Sequence, residues 1–133
     1  MRHFLLAAAL LLPVAATAAP CDGIPGDQQV TVQLFYGRAI KGGGEVSAAD
    51  WKAYMDAEVT PRFPAGLTVI EASGQWQQRS TGKVISEKST VIEIVTSPSP
   101  ETWAKFEAVR NAYKTKFQQE SVGLVTNLSC ASW

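Results

Sequence analysis

Hydrophobic residues recur along this chain with two different periods, and the order in which those periods alternate restricts the fold more than any other feature. Val30-Thr31-Val32-Gln33-Leu34-Phe35-Tyr36 alternates with period two, as a strand with one buried face does. Ser47 with Asp50 three residues later predicts a helix N-cap, and Trp51, Met55 and Val59 follow at four-residue spacing. Pro61 and Pro64-Ala65-Gly66 end that helix. Two long arms, residues 67–78 and 84–96, flank Ser80-Thr81-Gly82-Lys83 and predict a hairpin. Ser99 as N-cap and Pro100 as first helical residue open a second helix. Its broad face carries Trp103, Phe106, Val109, Arg110, Tyr113 and Phe117. A last strand covers residues 121–129. The order β-α-β-β-α-β is that of a ferredoxin-like α+β sandwich. Such a sandwich has a four-stranded antiparallel sheet, strand order 4-1-3-2, with two helices on one face.

Strand parity then sorts the side chains. Val30, Val32, Leu34, Tyr36, Ile70, Ala72, Ile92, Ile94, Val122, Leu124 and Leu128 are expected under the helices. Gln33, Phe35, Val69, Glu71, Ser73, Val91, Glu93, Val95, Val125 and Asn127 are expected on the open face. That face is half apolar, more than a water-exposed sheet face usually is. A second copy of the sheet is the simplest cover, so a homodimer is expected.

Met1-Arg2-His3, an apolar run from Phe4 to Val14, and Ala16-Thr17-Ala18 have the three parts of a secretory signal peptide. Residues 1–18 are read as that signal and 19–133 as a single α+β domain. The apolar run is shorter than the roughly 20 residues a membrane span needs. Pro20 stands where lipid attachment at Cys21 would require a small residue, so a soluble exported protein, periplasmic or extracellular, is expected. Losing Arg2 leaves 11 basic against 12 acidic residues, a net charge of −1 with no basic run. That balance disfavours nucleic acid and anionic membrane surfaces as partners. Cys21 and Cys130 are the only cysteines. Export favours their pairing. The topology sets the start of strand 1 beside the end of strand 4, which favours it independently.

Several stretches together resemble a known family: Leu34-Phe35-Tyr36-Gly37, Gly43-Gly44-Glu45-Val46-Ser47, Glu58-Val59-Thr60-Pro61-Arg62-Phe63-Pro64-Ala65-Gly66-Leu67, Gly74-Gln75-Trp76 and Gln118-Gln119-Glu120-Ser121-Val122. The chain is similar over nearly all of residues 19–133 to the secreted bacterial proteins grouped as domain of unknown function 3574. The resemblance implies export and domain extent, and it brings no catalytic residues.

The chemistry left to the mature chain is restricted. Its only histidine, His3, belongs to the signal segment. A Ser-His-Asp triad, a Cys-His pair and His-ligated zinc are therefore excluded. No metal site and no cofactor is expected. Gly42-Gly43-Gly44 lacks the spacing of a dinucleotide fingerprint and reads as a loop. Glu71 and Glu93 lie directly opposite each other if the hairpin turn is a three-residue loop centred on Gly82. Two such carboxylates, with Tyr113, would be the acid-base groups of an enzyme. The plainer expectation for the two glutamates is solvation or pairing with Arg or Lys. Arg38, Glu45, Glu58 and Arg62 could line a polar pocket for a small anion or sugar, or make surface ion pairs. Trp51 and Trp103 read as packing residues and Trp76 as an exposed contact. The expected function is a non-catalytic exported module binding a small ligand or an envelope protein. The alternative is an enzyme of the dimeric α+β barrel kind.

Overall fold

A computed structural model describes residues 21–133, and the expected signal peptide, with His3, lies outside the described residues. Seven segments follow in order: β1 (Asp27–Gly37), α1 (Ala48–Tyr54) continued by a π-helical turn (Met55–Val59), β2 (Thr68–Gln77), β3 (Val84–Thr96), α2 (Pro100–Phe117) and β4 (Gly123–Ala131). The strands form one antiparallel sheet in the order β2-β3-β1-β4. This is the expected ferredoxin-like α+β arrangement. The bridge between Cys21 and Cys130 is formed, with Cα atoms 5.6 Å apart.

Capping chemistry starts both helices where the residue types require. Asp50 N donates to Ser47 Oγ at 3.0 Å, and Ser47 Oγ donates back to Asp50 Oδ2 at 2.7 Å. Thr102 N donates to Ser99 Oγ at 3.1 Å, and Pro100 occupies the first turn, where its missing N–H costs nothing. Phe106, Val109, Tyr113 and Phe117 then fall on one stripe of α2 and are buried. Trp103 stays partly exposed at the edge of that stripe, tilted against Phe106.

In α1 the buried residues are Trp51, Tyr54 and Val59, whereas Met55 is only half-buried. The four-residue spacing had favoured Met55. The π-helical turn, marked by the bond from Thr60 N to Met55 O, explains the difference. Its wider loop carries Val59 round to the face of Tyr54, five residues before it. Tyr36, Trp51, Tyr54 and Tyr113 thereby meet in one cluster, with ring centroids 4.8 to 5.9 Å apart. Pairs of this kind add about 0.5–1.5 kcal/mol each beyond their burial.

The hairpin corrects one expectation. Residues 78–83 form its turn: Gln78 O accepts from Gly82 N at 2.8 Å, Gln78 N donates to Lys83 O, and Gly82 takes a positive φ of 69°. Glu71 therefore pairs with Thr90, and Glu93 with Thr68. The expected opposition of Glu71 and Glu93 does not occur. The register is three residues from that of a three-residue loop, and an odd shift exchanges the faces of a strand. Val69, Glu71 and Ser73 point to the helix side, opposite Ile92, Thr90 and Lys88. Ile70 and Ala72 join the open face, opposite Val91 and Ser89. The parities of β1, β3 and β4 are as expected.

Candidate functional site

The helix face is closed at its loop end by Arg38. This side chain follows β1 and is only 6% exposed. Nη2 donates to Val46 O at 2.7 Å, Nη1 donates to Thr90 Oγ1 at 3.1 Å, and the guanidinium carbon lies 5.0 Å from the Trp51 ring centre. Glu71, mostly exposed, comes within 4.0 Å of Nη1. Nε is buried without a hydrogen-bond partner. That omission costs about 1–3 kcal/mol, which the contact with the indole face offsets in part. Arg38 thus anchors the residues before α1 to the sheet.

The remaining expected polar residues do not converge. Glu45 pairs with Lys88 at 3.0 Å, and Glu58 pairs with Arg62 at 2.8 Å within the π-helical turn and the residues just after it. Exposed pairs of this type stabilise by about 0–1 kcal/mol. Arg62 also borders a small cavity of about 200 Å³ with Phe63, Thr96 and Lys105. Glu93 sits on the open face and accepts a hydrogen bond from Gln33 at 2.8 Å. Tyr113 is fully buried, and its hydroxyl donates to Gly37 O at 2.8 Å. Burial, the largest cause, and the charge of Glu87 raise its pKa to about 12, against the lowering effect of Arg38. Glu71, Glu93 and Tyr113 therefore do not form one acid-base set.

What the structure assembles instead is a groove of about 700 Å³ at the loop end of the open face. Ligand sites generally run from about 300 to 1,000 Å³. Its floor crosses the strands at Gly74, Glu87, Ser89, Gly37 and Gly123, and Phe35 and Trp76 flank it. The rim is made by Ala39, Ile40 and Lys41 after β1 and by residues 118–121 after α2. The two rims are tied together, since Gln119 Nε2 donates to Ala39 O at 2.7 Å. Gln118, in the same rim, has a φ of 53°, a left-handed conformation that costs a non-glycine residue about 1–2 kcal/mol. It closes the C-terminus of α2 by donating its N–H to Lys114 O.

Glycine makes the floor. A Cβ on Gly37 would lie 3.3 Å from both carboxylate oxygens of Glu87, and one on Gly123 would lie 3.2 Å from Phe35 Cβ. The missing side chains leave the Glu87 carboxylate lying across β1, half-buried, with Ala39 N donating to Oε2 at 3.4 Å. Of the expected binding residues only Trp76 lines this groove, and it is 50% exposed. Glu87, Gly37, Gly74 and Gly123 were not singled out from the sequence. A signal was available at Gly74, because a strand-interior glycine marks a bulge or the close approach of a ligand or backbone, whereas Gly37 and Gly123 stand at strand ends. Gly37, Gly74 and Gly123 also share strand parity with Phe35, Trp76 and Val125 respectively.

Sheet order, helices on one face and a disulfide across the chain ends define a small ferredoxin-like α+β domain with an open groove at the end of its free sheet face. The chain belongs to the family described as protein of unknown function (DUF3574), whose profile matches residues 31–133. No curated protein matches it. Among solved structures it is similar to a phage SAM lyase in complex with S-methyl-5'-thioadenosine. That likeness has 18% identity and a TM-score of 0.59, covering 82% of this chain and 95% of the lyase. It is also similar to the GlnK–ATP complex of B. subtilis, with 15% identity and a TM-score of 0.51, covering 77% of this chain and 82% of GlnK. At these identities the likeness is one of fold.

Proposed function

We propose that this domain is exported and acts as a non-catalytic binding module, taking a small ligand in the groove bounded by Phe35, Trp76 and Glu87. The observation that carries the reading is the groove itself, an open cleft of about 700 Å³ with an aromatic residue at each end, a glycine floor and the carboxylate of Glu87 across it. The disulfide, and the lack of any helix among the described residues long and apolar enough to cross a membrane, are compatible with export. The two structural neighbours are complexes with S-methyl-5'-thioadenosine and ATP, so similar folds hold ligands of small-molecule size.

Gly74→Val tests the groove without disturbing the fold. A Cβ there meets nothing nearer than 3.8 Å, and valine suits a strand better than glycine. The isopropyl group fills the floor. Flat aromatic amidines, amides and acids are the probes. At least one is expected to bind the mature protein, and Gly74→Val is expected to weaken it about tenfold, roughly 1.4 kcal/mol, with the melting temperature held or raised. Binding that ignores Gly74→Val contradicts the proposal.

We further infer that a second copy covers the apolar middle of the open face, where Ile70, Phe35 and Val125 are 40–45% exposed around Val91. Val125→Lys is expected to convert a dimer to a monomer in sedimentation velocity. Its effect on monomer stability is expected to stay within about 0.5 kcal/mol, as at other surface positions. A wild-type protein that sediments as a monomer overturns this part. The enzyme reading is favoured by one observation, the likeness of fold to a lyase, and requires turnover of whatever ligand binds in the groove.

A further inference from the structure

Taking the groove as the ligand site, we infer that its ligand presents a cationic, hydrogen-bond-donating head to Glu87 and lays a flat apolar body against Trp76, which follows Gly74, the partner of Glu87, on the same face of β2. The charge pattern points that way. Among the described residues three charged side chains line the groove: Lys41, Glu87 and Glu120. Lys41 has Glu120 within 4.0 Å, so the one cation is accompanied. The ion pairs among the described residues engage Glu45, Asp56, Glu58, Glu71, Glu107 and Glu120, and none engages Glu87.

The position of Glu87 is equally specific. Its carboxylate lies over Gly37, where any side chain would press on both oxygens, and it borders Gly74 across the strand pair. The single donor that reaches it, Ala39 N, is 3.4 Å away, near the limit of a hydrogen bond. A carboxylate has about four lone-pair sites, and among the described residues the protein fills one of them. A carboxylate acceptor on the same face as Trp76 suits a head that carries both positive charge and N–H donors. Charge-assisted bonds are about twice as strong as neutral ones, and a ring face attracts the same cation.

Three probes of one shape separate the possibilities: phenylacetamidine (cationic), phenylacetamide (neutral) and phenylacetate (anionic). Calorimetric titration of the mature protein is expected to show the amidine binding about tenfold or more tightly than the other two. Glu87→Gln keeps the acceptor for Ala39 N and removes the charge, and it is expected to abolish that preference while sparing the amide. Preference for the amide or the anion that Gly74→Val removes would overturn the cationic head and leave the groove as the site. Amidine binding indifferent to both substitutions, or no binding by any probe, would overturn the groove and with it this inference.

Discussion

Replacing Cys21 and Cys130 together with serine is expected to lower the unfolding free energy by roughly 4–5 kcal/mol while leaving the folded structure in place. The bridge spans a sequence separation of 109, so it removes most of the end-to-end freedom of the unfolded chain. Little in the native state depends on it. Gln28 and Gln29 still pair with residues 130 and 129 of β4, and Gly26 still lies against the backbone of Ala131. Gly26 is itself required there, because a Cβ would come within 2.5 Å of Ala131 C and its φ is 110°. The loss is about half the stability of an ordinary domain, and it lowers the melting temperature by roughly 15–20 °C at this size. Urea unfolding with the near-ultraviolet circular dichroism of the native state checks both parts. A loss below about 1 kcal/mol would mean that the bridge does not constrain the unfolded chain as loop-closure entropy requires.

Alkaline pH is the second large effect. The chain has three tyrosines, Tyr36, Tyr54 and Tyr113, and all three are fully buried. Tyr54 Oη lies 2.9 Å from Val109 O and 3.0 Å from Tyr36 Oη. A carbonyl only accepts, so the single Tyr54 proton serves Val109 and Tyr36 donates to Tyr54. Burial is the largest cause raising all three pKa values, to about 12 for Tyr113 and further for Tyr36 and Tyr54. An unfolded tyrosine ionises near pH 10. Raised folded values mean that the stability from neutral tyrosines is complete below about pH 10 and drains away as pH rises through the folded values. With three protons retained only in the native state, stability falls by up to about 4 kcal/mol per pH unit above 10. Unfolding near pH 12 is the expected result, with tyrosinate absorbance appearing in one cooperative step. Gradual ionisation near pH 10 in a chain that stays folded would contradict the buried cluster.

Sheet order and helix starts were legible because each rests on a local rule. Period two marks a strand, and Ser47 and Ser99 supply the oxygens that orphaned helix N–H groups need. The cysteine pairing followed from topology, since β1 and β4 are antiparallel neighbours. The faces of β2 were not legible, because they depend on the length of the hairpin turn. Gly82 signals a turn but does not tell a three-residue loop from the six residues seen. Tyr54 stands three residues after Trp51 on an ordinary helical face and was passed over for Met55, while the π-helical turn that brings Val59 to its side leaves no mark in a four-residue spacing. The groove was half legible. Trp76 stood out as an exposed aromatic. Glu87 was anonymous among twelve acidic residues until the floor of glycines placed it.

The indole N–H resonances of uniformly labelled protein spanning residues 19–133 give the most direct test of the groove as the ligand site. Of the four tryptophans, Trp76 flanks the groove at 50% exposure, Trp51 is in the core, Trp103 lies on α2 and Trp133 is fully exposed after β4. On titration with the probe that binds best of the three phenylacetic derivatives, the Trp76 signal is expected to move and saturate while those of Trp51, Trp103 and Trp133 stay fixed, and Gly74→Val is expected to suppress the movement. Movement of Trp103 or Trp51 with Trp76 unchanged would place the ligand elsewhere and contradict the groove as the binding site.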